Sequence, residues 1–240
     1  MEKIEKSIKN FLVRVSESSA LYLFSREIAL GAFLSFITVI FFIKLTDRVF
    51  DRELVLFDNT VMILFYQLRN PTLTNVMKFF SFIGMDALFF TSAFIPLFFY
   101  WKKRKREAIL FTIMILLGTA ANNILKLAMH RPRPALAPLI FEHTYSFPSG
   151  HSMNSFIFFM TLAYFYYHFT HKKKVSLIAF AVSAVMVFCI GISRIYLGVH
   201  YPSDVIGGYL AGLLWLLIVL LVDKAISFFQ VLNYLLRSYS

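Results

Sequence analysis

Cysteine is almost absent from these 240 residues: Cys189 stands alone inside an apolar run. One thiol excludes an intrachain disulfide and a thiolate metal cluster. Charge is scarce too, at 15% Asp, Glu, Lys and Arg, against about 25% in an ordinary soluble domain. Acidic residues are the scarcer sign, 13 against 24 Lys and Arg, for a formal net charge of +11. No internal repeat, low-complexity tract or second domain stands out. The first 26 residues are polar and basic, and no short apolar core with a small-residue cleavage site follows them. The first hydrophobic segment therefore reads as an uncleaved anchor.

What the chain has in excess is apolar surface: 59% hydrophobic and 18% aromatic residues, with a mean hydropathy of +0.70. A single soluble core cannot hide so much. The expectation is an all-α polytopic membrane protein, one membrane-embedded domain over residues 1–240, with the bilayer as partner. In such a chain the basic excess bears on topology, and no nucleic-acid partner is implied.

Six spans of the roughly 17–25 residues that a bilayer helix needs are expected at about 27–45, 79–100, 107–127, 152–169, 175–194 and 204–222. Ahead of them, Ile4, Ile8, Phe11, Leu12 and Val15 recur at helical spacing, which predicts an interfacial amphipathic helix over 1–26. Residues 47–78 mix charges with apolar runs and break at Asn70-Pro71, which suggests one or two short helices on the membrane surface. Asp86 after Gly84 marks either the true start of the second span or a buried polar contact, the former preferred. Lys224–Ser240 reads as a further interfacial helix. Fifteen of the 24 basic residues fall in the segments 1–26, 102–106, 172–174 and 224–237. With six spans these lie on one side, so both termini are expected in the cytoplasm.

Ionisable residues then collect on the other, extracytoplasmic side. Phe147-Pro148-Ser149-Gly150-His151 is a turn running into a hydrophobic helix. Alone it is an ordinary Gly/Pro turn, but a helix N-terminus also offers free N–H groups and a positive dipole end to an anion. Upstream lie Lys126 and the Pro-stiffened Arg131-Pro132-Arg133-Pro134; downstream lie Ser193-Arg194, His200 and Asp204. Charges at the ends of such apolar segments are functional candidates. Asn122 and Asn123 either orient Lys126 or pair with a neighbouring helix, the second being favoured.

His200 and Asp204 are four apart, with Pro202 between them. A helix starting near Pro202 puts both on one face. The carboxylate can then hold one ring N–H and leave the other nitrogen free as base or nucleophile. Two histidines, three cations and a helix N-terminus suit phosphoryl transfer, where fixed positive charge does most of the catalysis. No metal or other cofactor is required by this set. Asp204 is its only carboxylate, and a zinc site on His151 and His200 lacks a third ligand.

Lys126-x6-Arg133-Pro134, then Pro148-Ser149-Gly150-His151, then Ser193-Arg194-x5-His200-x3-Asp204 resembles the three-part signature of the type 2 phosphatidic acid phosphatase superfamily. The layout over nearly the whole chain resembles its membrane lipid phosphatases, with the phosphatidylglycerophosphatase B and undecaprenyl pyrophosphate phosphatase branches nearest. The resemblance implies catalytic His200, His151 and Asp204: His200 attacks phosphorus to form a phosphohistidine, Asp204 holds it, and His151 protonates the leaving group. Lys126, Arg133, Ser149, Gly150 and Arg194 would bind the phosphoryl oxygens. Phosphatidylglycerophosphate and undecaprenyl pyrophosphate lead as substrates, ahead of phosphatidate and lipid A phosphate. The rival class is a lipid or anion transporter or scramblase using the same cations, which has no need of the His200–Asp204 pair or His151. A membrane adaptor and a vanadium haloperoxidase fit less well. His130, Arg131, Glu142 and His143 lie beside the signature as headgroup contacts or as a solvated loop.

Overall fold

The computed structural model describes the backbone of residues 2–238 and the side chains of residues 25–233, and it is all helix and loop. The helices are α1 (Glu2–Phe50), α2 (Val55–Gln67), α3 (Pro71–Phe82), α4 (Leu88–Trp101), α5 (Lys105–Met129), α6 (Gly150–Thr170), α7 (Lys173–Tyr196) and α8 (Pro202–Ser238). A π-helical turn, Ile83–Ala87, joins α3 to α4 without a break.

Several expected boundaries move. Asn70-Pro71 is a break, as expected, between the end of α2 at Gln67 and a new helix that opens at Pro71. The Asn70 side chain accepts from the Leu73 N–H at 2.9 Å, and Pro71 fills a first-turn position whose missing N–H costs nothing. The second long helix therefore starts eight residues before the expected span, and Asp86 sits exposed in its π turn, neither at a helix start nor buried. Residues 2–26 and the first span form one continuous helix, as do the sixth span and the segment from Lys224 to Ser238. The N-terminal apolar stripe falls on side chains outside the described residues. Between the first two long helices, α2 is the short helix that the mixed composition predicted.

Among the described residues, five stretches are long and apolar enough to cross a membrane: Ser25–Phe50, Pro71–Trp101, Lys105–Met129, Lys173–Tyr196 and Pro202–Asn233. The expected fourth span is α6, which is long enough but too polar to qualify. His151, Ser152, Asn154, Ser155 and Thr161 along it are buried, because α6 packs between α5 and α7. Outside, large apolar side chains such as Phe89, Phe94, Ile124, Ile178 and Phe188 are exposed. That inverts a soluble protein and marks a multi-pass membrane protein.

Two compact units are distinguished: residues 1–37 with 217–240, and residues 38–216. In the first, Lys224 Nζ donates to Glu27 Oε2 at 2.6 Å. The second holds all the candidate site residues. Its core stacks Phe99, Phe111, Phe158 and Phe165, with Phe99 edge-on to Phe165 at 5.3 Å. Lipid is as apolar as these rings, so close packing and interhelical hydrogen bonds rather than hydrophobic transfer hold the helices together. One such bond runs from Trp215 Nε1 to the Met114 carbonyl at 3.0 Å.

The segment after α7 is pinned from two sides. Arg69 donates to the Tyr196 carbonyl from Nε and Nη2, at 3.1 and 2.9 Å, and to the Ala137 carbonyl at 2.7 Å. The Tyr196 hydroxyl meets Asn70 N and Thr74 Oγ1 at the start of α3. Gly198 makes the turn with φ of +77°, and a Cβ there would sit 2.8 Å from Arg69 Nη2. Only glycine fits both the left-handed backbone and the close approach. Gly198→Ala is expected to destabilise the detergent-solubilised protein by about 1–2 kcal/mol from the backbone alone. Thermal unfolding checks this, and an unchanged midpoint would contradict it.

Candidate active site

The turn before α6 is tied to the start of α8. Ser149 is the N-cap of α6, its side chain accepting from the Ser152 N–H, and its own backbone N–H donates to the Asp204 carbonyl at 3.0 Å. Gly208 lets α8 lie directly on this turn; a Cβ there would be 2.6 Å from the Ser149 carbonyl. The free N–H groups of the first turn of α6, from Gly150 onward, thereby face the same place as the first turn of α8.

Three cations surround that place. Lys126 is buried in the last turn of α5, and His130 in left-handed conformation ends the helix by donating to the Lys126 carbonyl. The following loop returns over the lysine. Lys126 Nζ donates to Thr144 Oγ1 at 2.9 Å, and Arg133 Nη2 donates to the same oxygen at 3.0 Å. Arg133 also binds the Thr144 carbonyl through Nε at 2.6 Å and the Val199 carbonyl through Nη1 at 2.8 Å. Arg194, fully buried, donates to Ser81 of α3 and to Glu142, and Glu142 lies 3.8 Å from Arg133 as well. Arg194 Nε is buried with no partner among the described residues. A buried, permanently charged donor left unpaired is costly, and an anion's oxygen is what it fits. Beside Lys126 and Arg133, a cavity of about 590 Å³ is lined also by Asn123, His143 and Tyr145.

His200 lies buried in the loop before α8. Arg133 Nη1 is 3.2 Å from its Nε2. Arginine can only donate, so Nε2 is the acceptor and the ring proton belongs on Nδ1. That nitrogen faces Asp204 Oδ2 at 3.4 Å, within ion-pair range but longer than a hydrogen bond. Oδ2 is already engaged by Ser146 Oγ and by the Tyr201 N–H at 2.8 Å. Burial first, then the positive charges of Arg133, Arg194 and Lys126, push the His200 pKa well below its ordinary 6.5. The ring is held neutral, with a lone pair turned toward the cations. His151, in the first turn of α6, interacts electrostatically with Arg194, His200, Lys126 and Arg133.

Lys126, Arg133, Ser149, Gly150, His151, Arg194, His200 and Asp204 are thus gathered in one place. Asn122 bonds to the turn and α6, through the Pro148 carbonyl and Met153 sulfur at 3.5 Å each, rather than orienting the lysine. Sequence reasoning alone misses four participants. Thr144 joins two cations, Ser146 engages Asp204, Ser81 holds Arg194, and Asp58, fully buried on α2, pairs with Arg131. Glu142 and Arg131, which the sequence left as headgroup contacts or solvated loop, both form ion pairs inside the structure. Among the described residues, no group of three or more His, Cys, Asp or Glu is placed to hold a metal ion.

Fold and site together define a multi-pass membrane protein with a cationic anion site and a neutral, oriented histidine at one end of its helices. The chain belongs to the PAP2 superfamily, whose pattern matches residues 107–227. It is 34% identical over 167 residues to phosphatidylglycerophosphatase B of Bacillus subtilis, covering 68% of this chain and 81% of that one. The crystal structure of a transmembrane PAP2-type phosphatidylglycerolphosphate phosphatase from Bacillus subtilis superposes with a TM-score of 0.74 at 30% identity. That match covers 80% of this chain and 96% of the other. The structure of Aquifex aeolicus LpxE follows with a TM-score of 0.56 at 29% identity, over 68% and 94% of the two chains.

The Thr144 hydroxyl accepts from both Lys126 and Arg133, so its own hydrogen is left to donate to a bound anion. Thr144→Val is expected to weaken inorganic phosphate binding about tenfold, the scale of one charge-assisted hydrogen bond. Phosphate-dependent thermal stabilisation measures it; an affinity equal to wild type would show that Thr144 plays no part in holding the cations.

Proposed function

We propose that the protein hydrolyses the phosphate ester or diphosphate of a membrane lipid, with His200 as nucleophile. The observation that carries this reading is the pairing of a buried, unpartnered Arg194 Nε with a His200 Nε2 lone pair, both inside one ring of cations. Lys126, Arg133, Arg194, the Ser149 hydroxyl and the Gly150 N–H bind the phosphoryl oxygens and stabilise charge in the transition state. His200 Nε2 attacks phosphorus, the bond to the lipid oxygen breaks, and His151 gives that oxygen its proton. His151 then takes a proton from water, which attacks the phosphohistidine and releases inorganic phosphate. Asp204 steadies the imidazolium between the two steps. The cations supply the charge neutralisation that this chemistry needs, so no metal enters.

Loop charge supports a site on the extracytoplasmic face, with α6 counted as a sixth crossing enclosed by its neighbours and both termini inside. Similarity to the Bacillus subtilis phosphatase favours phosphatidylglycerophosphate, with undecaprenyl pyrophosphate next. An arriving phosphate competes with Glu142 for Arg194.

The test is phosphate release by the purified protein in detergent with chelator present, from those two lipids, phosphatidate and lipid A 1-phosphate. His200→Ala is expected to cut turnover by about 10³-fold or more. A variant with near wild-type turnover would remove His200 as nucleophile. Attack requires unprotonated His200, and its pKa is held below 6.5. The acid limb of kcat/KM should therefore have its midpoint below pH 6.5. An acid midpoint at or above 6.5 would contradict the assignment.

A further inference from the structure

Arg131 lies outside the three-part signature, yet it makes more ion pairs with the site than any phosphate-binding cation. Its Nη1 donates to Asp204 Oδ1 at 2.5 Å and to Ser203 Oγ at 2.8 Å, and its Nη2 donates to Asp58 Oδ2 at 2.7 Å. Asp58 is fully occupied in turn. Its Oδ1 accepts from the Ser203 N–H at 3.0 Å, and its Oδ2 also accepts from Ser203 Oγ at 2.6 Å. The Tyr201 ring covers the guanidinium at 4.3 Å. Even the Arg131 backbone takes part: its carbonyl accepts from the Ser146 N–H at 2.9 Å, and the Ser146 hydroxyl donates to Asp204 Oδ2. With 12% of its side chain exposed, Arg131 commits both ends of its fork to these carboxylates.

We infer that Arg131 is a positioning residue of the reaction proposed above: clamped by Asp58 of α2, it fixes the Asp204 carboxylate against His200 and offsets its charge. The inference rests on His200 being the nucleophile. A carboxylate alone beside a buried imidazole draws a proton onto the ring, and a protonated ring cannot attack. Asp204 must orient His200 without doing that. Arg131 on Oδ1 lowers the field that Asp204 exerts, while Ser146 and the Tyr201 N–H keep Oδ2 turned toward Nδ1. Asp58 keeps the arginine in place and returns part of the negative charge. The other charged or titratable groups facing His200 are Lys126 from α5, His151 from α6, Arg194 from α7, and Arg133 with Glu142 from the loop. All of these are left untouched by changes at Arg131 and Asp58.

A tie that merely holds the loop to α2 would lower turnover at every pH. The charge role instead moves the pH profile, and in opposite directions for the two partners. Using the full chain in detergent and its best lipid, kcat/KM is followed against pH for wild type, Arg131→Gln, Arg131→Lys, Asp58→Asn and the double variant Arg131→Gln/Asp58→Asn. Arg131→Gln should raise the acid midpoint by about one pH unit, and Asp58→Asn should lower it. The double variant, which removes one charge of each sign, should return the midpoint toward wild type, and Arg131→Lys should keep it while losing turnover with the lost fork geometry. Should Arg131→Gln not fold, the downward shift in Asp58→Asn carries the same test. Reduced activity with unmoved midpoints would overturn the inference and leave the reaction standing. An acid limb that persists in active His200→Ala protein would overturn the nucleophile assignment itself, and the inference with it.

Discussion

The constraint on which this structure depends is the cost of holding like charges together out of water. Lys126, Arg131, Arg133 and Arg194 converge at one end of an apolar helix assembly, three of them on carboxylates and two of them on one threonine. Three carboxylates, Asp58, Glu142 and Asp204, face the four cations. The balance leaves one positive charge in excess, and that excess is local. Arg131 is paired directly with both Asp58 and Asp204, whereas Arg133 and Arg194 share one ion-pair partner, Glu142. The positive potential therefore falls on the side where His200 Nε2 and Arg194 Nε lie, and an anion completes it.

Such a cluster survives only if its members cannot drift to solvent, and the chain achieves this by using helix ends as fixtures. Lys126 sits in the last turn of α5, Arg194 in the last turn of α7, His151 in the first turn of α6 and Asp204 in the first turn of α8. Each backbone is set by packing within residues 38–216, so each side chain starts from a fixed point. The irregular contributors are the loop of 130–149 and the short turn between α7 and α8 that carries His200. In the first, Arg133 donates to the carbonyls of Tyr145 and Val199, and Ser149 is bonded to α8. Irregular backbone near a membrane is tolerated where protein satisfies its polar groups, and here those same bonds position the site.

Much of this is legible in the sequence because membrane helices and phosphate chemistry both leave strong local signals. Each expected span falls on a long helix of the described residues, and Lys126, Arg133, His151, Arg194, His200 and Asp204, picked out by their spacing, lie together as the candidate site. Two kinds of feature are not readable. The start of a long helix at Pro71 and its continuity past Asp86 depend on a cap and a π turn, which period and composition do not report. The partners Asp58, Ser81, Thr144 and Ser146 are single polar residues whose meaning is entirely tertiary. Asp58 is 146 residues from Asp204 in sequence, and one charge among several in a mixed segment carries no sign of its pairing.

The polarity of α6 follows from the same constraint. A helix that presents His151 and a bare N-terminus to an anion also continues inward with Ser152, Asn154, Ser155 and Thr161, all buried. Facing lipid, that sequence would be unfavourable; packed between α5 and α7 it is not, because Asn154 meets Thr119 and Ser183 bonds to the Phe159 carbonyl across the α6–α7 interface. The apolar surface a membrane demands is supplied instead by the outer faces of α4, α5 and α7. Polar chemistry in the middle and hydrocarbon outside are one arrangement. The helix least able to cross a membrane alone is the one that carries His151, and its neighbours make its position tenable.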